Sequence, residues 1–569
     1  MTDDFRHVFE PLTIRHRTLT SRINFGAHTS NMAEGGLPGE RHIGYYRERS
    51  LGGAGMIVVE PMPVHRTAVL TRGNFRNSDD SVVPAFRRLV QACREANPDV
   101  VMIHQLYHVG QHGDADNSFE PNWSPSGLPS YHDADGSHQM TVAEIEEVID
   151  GFVAAARRAQ ASGFDGIEIF AAYNALVDQF WSPWSNRRTD DWGGNFDARM
   201  RFSAEILRRI REACGQDFII GLAVSVDPGG EATLSIEDLA AVIAWHDGLR
   251  LMDYVTCGTG SYFDFHMIMP TSLYEQRLGE PFAAALKQVV RHAVIQAESH
   301  IRTPAAAEAV IAAGHADMVS IVRGQIADPH LVSKTRAGRV GDVRPCISCN
   351  QMCWARRSRD YWISCLVNPS TGREWTWGGD RFEPAAHPRS VLVVGGGPAG
   401  LETARVAAER GHDVTLLERD PALGGQFRLA GLQPSRGQIL DLLGWYDRQL
   451  AALGVDRRME TVADPDRVAA FGADVVVLAT GSYPPVAGFQ RALPLIDRMP
   501  GVDRADAVSA QAVLDGTAVL GQRIVVLDDV GDWRGLGTAL HLVERGHDVT
   551  IVTAAPVVAG GLFHSAADA

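Results

Sequence analysis

The sequence predicts an α/β protein with three parts: an eight-stranded barrel, a cysteine-rich segment and dinucleotide-binding domains. Short apolar runs alternate eight times with amphipathic helical stretches before residue 340. Four of the seven cysteines lie between positions 346 and 365, and a glycine-rich turn follows an apolar run near residue 391. At 569 residues the chain is too long for a single hydrophobic core, so several domains are expected.

The barrel is predicted over residues 1–343. Its candidate strands are Ile23–Phe25, Met56–Val59, Val100–Gln105, Gly166–Phe170, Phe218–Val226, Tyr254–Cys257, Val294–Ala297 and Met318–Val322. Eight strand–helix repeats favour a TIM barrel over a doubly wound open sheet, and its functional side chains follow the carboxyl ends of the strands. Polar residues gather at those points: His28, Gln105, His108, Tyr173, Asp227, His266 and Arg323.

The cysteine-rich segment is predicted over residues 344–385. Its pattern is C-x2-C-x3-C-x11-C, formed by Cys346, Cys349, Cys353 and Cys365. Four thiolates this close can enclose zinc or an iron–sulfur cluster. Three closely spaced ligands and one distant one favour a 4Fe–4S cluster over a zinc ribbon, which usually pairs two C-x-x-C knuckles. Disulfides are a third alternative, and they fit poorly because the chain uses cysteine sparingly and we expect no signal peptide.

The composition is ordinary for a globular protein, and the charge argues against two classes of partner. Hydrophobic residues make up 45% of the chain and charged residues 21%, and no apolar run approaches the length of a membrane-spanning helix. The balance of 53 basic against 69 acidic residues gives a net charge of −16, which argues against binding to nucleic acid or an anionic membrane. Because cluster thiolates need a reducing compartment, we predict a cytoplasmic location.

A dinucleotide-binding fingerprint is predicted over residues 386–487. The apolar run Val391–Val394 leads into three glycines and a later acidic residue: Gly395, Gly397, Gly400 and Glu418. This spacing is typical of a Rossmann-like unit, in which the glycines admit a pyrophosphate and the acidic residue binds ribose hydroxyls. The segments that contain Gln426 and Gly481 resemble later motifs of two-dinucleotide flavoproteins, which indicates FAD or ADP.

A second dinucleotide-type domain is predicted over residues 488–569, and it is degenerate. Its strand at Ile524–Leu527 runs into Asp528 and Asp529, where phosphate-binding glycines would stand. Carboxylates there repel a pyrophosphate, so we expect no nicotinamide dinucleotide to bind. The chain ends soon after the strand Val549–Val552, and we expect this domain to be incomplete, by truncation or by abbreviation.

Several segments of the chain resemble the Old Yellow Enzyme family. They are Phe9-Glu-Pro-Leu, Gln105-Leu-Tyr-His-Val-Gly, Asn186-Arg-Arg-Thr-Asp and Arg323-Gly-Gln-Ile-Ala-Asp-Pro. Together with the cysteine pattern and Leu366-Val-Asn-Pro, they are similar to the multidomain branch that contains 2,4-dienoyl-CoA reductase and the trimethylamine, dimethylamine and histamine dehydrogenases. The resemblance implies an FMN over the barrel, a 4Fe–4S cluster and a bound FAD or ADP.

The resemblance also implies roles for individual residues. Gln105 would bind the pyrimidine edge of the flavin. His28 is expected beside it, next to Thr29, which stands where trimethylamine dehydrogenase has its flavin-linking cysteine, so FMN is expected to be noncovalent. Ala223 replaces the arginine that relatives carry beside the flavin. The FMN phosphate would be held by Ser299, His300, Arg323 and Gly324.

The predicted chemistry is amine oxidation rather than alkene reduction. Ala175 stands where ene-reductases of this family have the tyrosine that protonates the substrate. The Tyr–His–Asp group of the methylamine dehydrogenases corresponds to Phe170, Tyr173 and Asp253. Tyr173 and Asp253 are therefore predicted to orient the substrate, with His266 as a further catalytic candidate. The many aromatic residues nearby would suit a methylated ammonium.

We therefore predict flavin-dependent oxidative N-demethylation of a small N-methylated amine or amino acid. Electrons would pass through the cluster to an external acceptor such as an electron-transfer flavoprotein, and we expect a homo-oligomer. The alternative is an NAD(P)H-dependent enoate or 2,4-dienoyl-CoA reductase. A third possibility is a catalytically idle electron-transfer or scaffold subunit, because Ala223 and the altered Tyr–His–Asp group depart from the pattern of the catalytic relatives.

Overall fold

The structure is a computed structural model that describes residues 3–68, 74–75, 79–113, 120–131, 136–230, 232–483 and 487–565. It divides into two compact units. The first comprises Met1–Cys346 with Asn350–Asp380, and the second comprises Ile347–Cys349 with Arg381–Ala569. Within the ranges just given, no helix combines the length and the apolar character needed to cross a membrane.

The first unit contains a closed parallel barrel. In chain order its strands are β1 (Leu12–Ile14), β2 (Arg17–Leu19), β3 (Ile23–Asn24), β4 (Met56–Pro63), β5 (Val101–Tyr107), β6 (Trp123–Ser124), β7 (His138–Gln139), β8 (Gly166–Ala171), β9 (Ile219–Val226), β10 (Tyr254–Thr259), β11 (Val294–Ala297) and β12 (Met318–Ser320). Eight strands form one sheet in the order β3-β12-β11-β10-β9-β8-β5-β4. Phe25, directly after β3, bridges to Ile57 of β4 and closes the sheet. The predicted TIM barrel is confirmed.

The strands follow the apolar runs of the sequence because both faces of each strand are covered. All residues of β4, β5 and β9 are buried, as expected for strands that pack against side chains inside and helices outside. One predicted strand was too long. The strand predicted at Met318–Val322 ends at Ser320, because Val322 begins a helix.

Amphipathic helices surround the barrel. They are α1 (Glu40–Leu51), α2 (Val83–Ala96), α3 (Val142–Ala161), α4 (Leu176–Trp181), α5 (Phe196–Cys214), α6 (Ile236–Gly248), α7 (Phe265–Ile268), α8 (Glu280–Val289), α9 (Pro304–Ala312), α10 (Val322–Ala327), α11 (Leu331–Arg336), α12 (Trp354–Arg357) and α13 (Glu374–Trp377). Helix α3 begins with a capping box between Thr141 and Glu144. Its buried residues Ile145, Val148 and Phe152 recur at helical spacing, and each stabilises the packing by about 1.5–3 kcal/mol.

Short 3-10 turns complete both units: Asp3–Phe5, His7–Phe9, Asp80–Val82, Gly110–His112, Val340–Asp342 and Gly560–Ser565. The second unit contains β13 (Ser390–Val394), β14 (Asp413–Leu417), β15 (Asp456–Arg458), β16 (Val475–Leu478), β17 (Arg523–Asp528) and β18 (Asp548–Thr553). Its helices are α14 (Pro398–Glu409), α15 (Gly425–Gly431), α16 (Gln438–Ala452), α17 (Pro465–Phe471), α18 (Ala510–Leu514) and α19 (Trp533–Val543). A parallel sheet has the order β15-β14-β13-β16, and β17 pairs with β18. The predicted Rossmann-like topology is present.

Candidate functional site

A cavity opens at the carboxyl ends of the barrel strands, entirely within the first unit. Its wall includes residues 26–29 after β3, Gln105 in β5, Ala223 in β9 and residues 298–302 after β11. Trp354 and Arg357 of α12 line it as well. Because TIM barrels carry their functional side chains at this face, the cavity is the candidate site.

A chain of hydrogen bonds between buried polar side chains crosses the barrel at the cavity. Gln105 donates to Glu168 over 2.7 Å, and Thr256 donates to the second carboxyl oxygen of Glu168 over 2.8 Å. Gln296 donates to Thr256 over 2.9 Å and accepts from Asn24 over 2.7 Å. Burial raises the pKa of Glu168, and the bonds from Thr256 and Gln105 oppose that rise. Gln105 therefore lies in the cavity with its amide nitrogen held by Glu168.

Tyr173 and Glu298 lie side by side in the cavity wall. A Cβ atom at Gly258 would lie 3.1 Å from Glu298 Oε1 and 3.3 Å from Tyr173 Oη. Burial, and then the charge of Glu168, raises the pKa of Glu298 to about 7. Burial, and then the charge of Glu298, also raises the pKa of Tyr173. Near neutral pH, Tyr173 keeps its proton and Glu298 can gain or lose one.

His28 lies in the cavity wall as a neutral imidazole. One ring nitrogen lies 2.9 Å from the Gly26 carbonyl oxygen and the other lies 2.8 Å from the Tyr45 hydroxyl. Burial lowers the pKa of His28 to about 4. Thr29 follows it in the wall, and its hydroxyl cannot form a thioether. These residues are consistent with a flavin that is bound without a covalent link.

Another part of the wall is basic. Ser299 and His300 have left-handed backbones, with φ of 71° and 56°, which non-glycine residues adopt rarely and mostly at functional sites. Arg323 donates to Asn350 Oδ1 over 2.8 Å, and in the described part of the chain it pairs with no carboxylate. Gly324 follows it in α10, where a Cβ would lie 2.5 Å from the Arg302 carbonyl oxygen. A guanidinium without a protein carboxylate fits an anionic group such as the FMN phosphate.

The cysteines are all free thiols, and three of the four predicted cluster ligands lie near one another in the first unit. Burial, and then Cys346 and Cys353, raises the pKa of the Cys365 thiol to about 12. Cys349 belongs to the second unit. Among the described side chains, no group of three or more His, Cys, Asp or Glu residues is arranged to hold a single metal ion. The 4Fe–4S assignment therefore stays a prediction from the cysteine spacing.

Aromatic rings form one side of the cavity. Phe170 and Tyr173 lie with ring centroids 5.6 Å apart, and the Phe265 ring lies 5.6 Å from Tyr262 and 5.4 Å from Trp354. All five line the cavity. Ring faces attract methylated ammonium groups once water is excluded, so this wall suits a small methylated cation.

Two predicted catalytic residues lie elsewhere. Asp253 directly precedes β10, at the amino end of the strand and therefore opposite to the cavity. It accepts from Arg15 Nε over 2.5 Å, from Arg211 Nη2 over 2.9 Å and from the Ile220 amide over 2.8 Å. The predicted Tyr173–Asp253 pair is not formed, and the catalytic assignment of Asp253 was wrong. Asp253 instead ties the amino ends of neighbouring strands together.

His266 is the second such residue. It belongs to α7, where Phe265 and Ile268 line the cavity and His266 does not. Its Nδ1 lies 2.6 Å from Asp264 Oδ1, and its ring stacks on Tyr274 with centroids 5.8 Å apart. It therefore lies outside the cavity wall and takes no part in the candidate site.

The second unit contains the predicted dinucleotide turn. The Gly396 amide donates to Glu418 over 2.6 Å, and the Asp420 amide donates to the same carboxylate over 2.8 Å. A Cβ at Gly400 would lie 1.8 Å from the Gly395 carbonyl oxygen, so glycine is needed for this close packing. Around Gly397, the residue before α14, a Cβ would meet nothing within 4 Å.

The open space in front of α14 fits the phosphates of a nucleotide. Gln426 was also predicted to bind the nucleotide, and in the structure its amide nitrogen donates to the Ser482 carbonyl oxygen.

The second dinucleotide-type turn is closed by its own carboxylates. Asp528 Oδ1 accepts from the Val530 amide over 3.1 Å and from the Gly531 amide over 3.0 Å. Asp532 caps α19 by accepting from the Arg534 amide over 2.8 Å. The backbone N–H groups that would bind a pyrophosphate thus already have anionic partners.

Three site residues escaped the sequence analysis: Glu298, Glu168 and Arg357. Glu298 follows β11 directly, so its position at a strand end was a usable signal. Glu168 lies inside β8 among apolar residues, where a buried acid indicates a site. Arg357 lies between Cys353 and Cys365, and it does not directly follow a barrel strand. Only the path of the cysteine-rich segment brings it to the cavity.

The barrel matches a known family. Residues 7–342 match the NADH:flavin oxidoreductase / NADH oxidase family. Residues 378–431 and 389–569 match the pyridine nucleotide-disulphide oxidoreductase family.

Similar proteins extend over nearly the whole chain. The N,N-dimethylglycine/sarcosine dehydrogenase of Chromohalobacter salexigens is 34% identical over 566 residues, which cover 96% of this chain and 79% of the relative. The NADH oxidase of Thermoanaerobacter brockii is 34% identical over 557 residues, covering 96% and 83%. The structure of histamine dehydrogenase from Rhizobium sp. 4-9 superposes with a TM-score of 0.91 at 26% identity, covering 99% of this chain and 82% of that one. The resemblance to this multidomain branch is confirmed.

Proposed function

This chain belongs to the NADH:flavin oxidoreductase / NADH oxidase family, and from that membership we propose that it is an FMN-dependent amine dehydrogenase. It removes a methyl group from a small N-methylated amine or amino acid, with the help of a 4Fe–4S cluster and an external electron acceptor. The similarity to a dimethylglycine/sarcosine dehydrogenase and to a histamine dehydrogenase supports this class of reaction.

The cavity wall carries the proposal. Its aromatic side would hold a methylated ammonium, and Glu298 lies next to it beside Tyr173. Oxidation requires the free amine, so the substrate must lose its ammonium proton inside the cavity. Glu298, whose pKa is about 7, can accept that proton near neutral pH. Tyr173, which stays protonated, orients the carboxyl group.

The cofactor would be held by residues whose geometry fits it. Gln105 and His28 would contact the flavin ring, while Ser299, His300, Arg323 and Gly324 would hold its phosphate. When bound, FMN would supply the two-electron oxidant for removal of a hydride from the N-methyl carbon. The substrate iminium then adds water, and cleavage of its C–N bond releases formaldehyde and the demethylated amine. Cys346, Cys349, Cys353 and Cys365 would bind the cluster, and residues 395–400 with Glu418 and Gln426 would bind FAD or ADP.

The electron acceptor is proposed to be external to this chain, and the carboxylate-filled second turn disfavours a nicotinamide dinucleotide in that role. We propose an electron-transfer flavoprotein. Thiolate ligands of a cluster need a reducing compartment, which supports a cytoplasmic location. We also propose that the enzyme is a homo-oligomer.

Anaerobic titration of the purified holoenzyme tests this function. Sarcosine or dimethylamine should bleach the flavin, and formaldehyde should appear in proportion to the amine consumed. Dithionite defines complete bleaching. Rapid bleaching by NADPH, followed by recovery of the flavin with an enoate, would establish the reductase instead. If neither the amines nor NADPH bleach the flavin, the protein would instead be the catalytically idle subunit.

A further inference from the structure

Arg357 places a cation in the aromatic part of the cavity. It ends α12, and its backbone is held from three sides: its amide donates to the Cys353 carbonyl oxygen over 3.2 Å, and its own carbonyl oxygen accepts from Asn31 and from the Asp360 amide, each over 3.0 Å. The guanidinium carbon lies 4.9 Å from the centroid of the Trp354 ring. The position of this cation is therefore well defined.

Among the described residues, no carboxylate lies within ion-pair distance of this cation. Within the described ranges Arg357 forms no ion pair, and its buried Nε makes no hydrogen bond. Its electrostatic neighbours are Tyr262, Tyr131 and Tyr107, with a smaller contribution from the exposed Asp360. Burial lowers the pKa of Arg357, and these neighbours oppose the change. The guanidinium is partly buried in the cavity wall. A ligand that brings an anion to it is therefore favoured over one that brings a second cation.

The other two arginines of the cavity are engaged elsewhere. Arg323 donates to Asn350 Oδ1, and Arg302 Nη1 donates to the Cys346 carbonyl oxygen over 2.6 Å. Both lie beside Ser299 and His300, at the part of the wall that fits a phosphate. Arg357 lies instead among the rings that suit the ammonium group of the substrate. It is therefore available to the substrate rather than to the cofactor phosphate.

We propose that Arg357 binds the carboxylate of the substrate, and that the enzyme therefore acts on N-methylated amino acids in preference to simple methylamines. The proposal rests on the amine dehydrogenase function given above. A guanidinium presents two parallel N–H donors that match the two oxygens of a carboxylate. A zwitterionic substrate satisfies Arg357 and the aromatic wall together. A simple methylammonium ion supplies only a second cation, which Arg357 repels.

A binding experiment tests this independently of catalysis. Trimethylglycine carries a carboxylate and a quaternary ammonium that cannot be oxidised, whereas tetramethylammonium carries the cation alone. Trimethylglycine should raise the unfolding temperature of the wild-type holoenzyme, and tetramethylammonium should not. The stabilisation should disappear in Arg357→Met and persist in Arg359→Met, a control that changes an exposed arginine on the same segment. Equal stabilisation by both compounds, or by neither, would overturn the proposal.

Kinetics separate this proposal from the proposed function. In Arg357→Met the KM for sarcosine should rise on the order of 10²-fold, with the flavin and iron contents unchanged, while turnover of dimethylamine should hold or improve. Parallel losses for both substrates would show a merely structural role. If the wild type oxidises dimethylamine as efficiently as sarcosine, the proposal about Arg357 fails and the amine dehydrogenase survives. If neither amine is oxidised, the proposed function itself fails.

Discussion

Glu298 and Tyr173 meet over Gly258, where a Cβ atom would lie 3.1 Å from the Glu298 Oε1 atom and 3.3 Å from the Tyr173 Oη atom. The pair is possible because residue 258 has no side chain to separate the two groups. It takes the place that the sequence analysis gave to Tyr173 and Asp253. A buried carboxyl group next to the ring faces of the cavity therefore supplies a proton-accepting group that the sequence-based assignment lacked.

Replacing Glu298 with glutamine should change how stability depends on pH. The pKa of Glu298 rises from its ordinary value of 4.5 to about 7 on folding. An acid with a raised pKa contributes stability below its unfolded pKa, and this contribution is lost as the pH rises through the folded pKa. As the pH rises from ~4.5 to ~7, the free energy of unfolding of the wild type should fall by on the order of 3 kcal/mol relative to that of Glu298→Gln.

Urea unfolding of the flavin-free protein at ~pH 5 and ~pH 8 measures this difference. Glu95→Gln, at an exposed position in α2, is the matched control and should follow the wild type. A stability difference between the wild type and Glu298→Gln that is the same at both pH values would contradict the titration of this buried carboxyl group.

Replacing Asp253 with asparagine should lower the free energy of unfolding and leave the rate of flavin reduction unchanged. Asp253 and Arg211 are both buried, and removing one partner of such a pair typically costs about 3–5 kcal/mol. The folded variant should still be reduced by amine at the wild-type rate, since Asp253 lies at the opposite end of its strand from the cavity. Thermal unfolding and stopped-flow flavin reduction measure the two effects. Slow reduction with unchanged stability would restore Asp253 to the active site.

The sequence predicts the barrel well because its strands contain short continuous apolar runs, such as Met56–Val59, that are buried on both faces. The Gly395–Gly400 turn is equally readable, because close packing of the backbone demands glycine there. Asp253 was misplaced because it comes one residue before β10, and the direction of the strand decides at which end of the barrel a residue lies. Arg357 was missed because it reaches the cavity from within the cysteine-rich segment, and the path of that segment is known only from the tertiary structure.

Removal of one predicted cluster ligand should abolish the cluster. Cys353→Ala should lose iron and labile sulfide together, as well as electron transfer to an external acceptor, while the FMN remains reducible by amine. Cys93→Ala, which changes a buried cysteine outside the motif, is the control. Iron analysis and electron paramagnetic resonance of the reduced protein measure the outcome. Stoichiometric zinc in the wild-type protein would contradict the assignment.

Acid precipitation should release the FMN completely. Thr29 stands at the position of the covalent attachment in trimethylamine dehydrogenase, and a hydroxyl there forms no thioether. His28, whose pKa is about 4, is neutral, and its two ring nitrogens lie within hydrogen-bond distance of the Gly26 carbonyl oxygen and the Tyr45 hydroxyl. The supernatant should contain all of the FMN, measured by fluorescence. Yellow protein in the washed precipitate would show a covalent link through another residue.

Nicotinamide dinucleotides should fail to reduce the enzyme. In the turn after β17, Asp528 accepts hydrogen bonds from the backbone N–H groups of Val530 and Gly531. Asp529 forms an ion pair with Arg491, whose Nε lies 3.2 Å from Asp529 Oδ2. An incoming pyrophosphate would have to displace these carboxylates and would be repelled by their charges. Under anaerobic conditions, excess NADH or NADPH should therefore leave the flavin oxidised, while an N-methylated amino acid bleaches it.

Because NADPH also contains an ADP-like portion, weak binding at the Gly395–Gly400 turn is compatible with this prediction. Flavin reduction, rather than binding, is accordingly the decisive measurement. The variant Asp528→Ala removes the two hydrogen bonds to Val530 and Gly531 and should loosen the turn without creating a glycine-rich phosphate site, so it should remain unreactive. Rapid bleaching of the wild-type flavin by NADPH would show that the second turn opens to bind the cofactor, and the enzyme would then have to be a reductase.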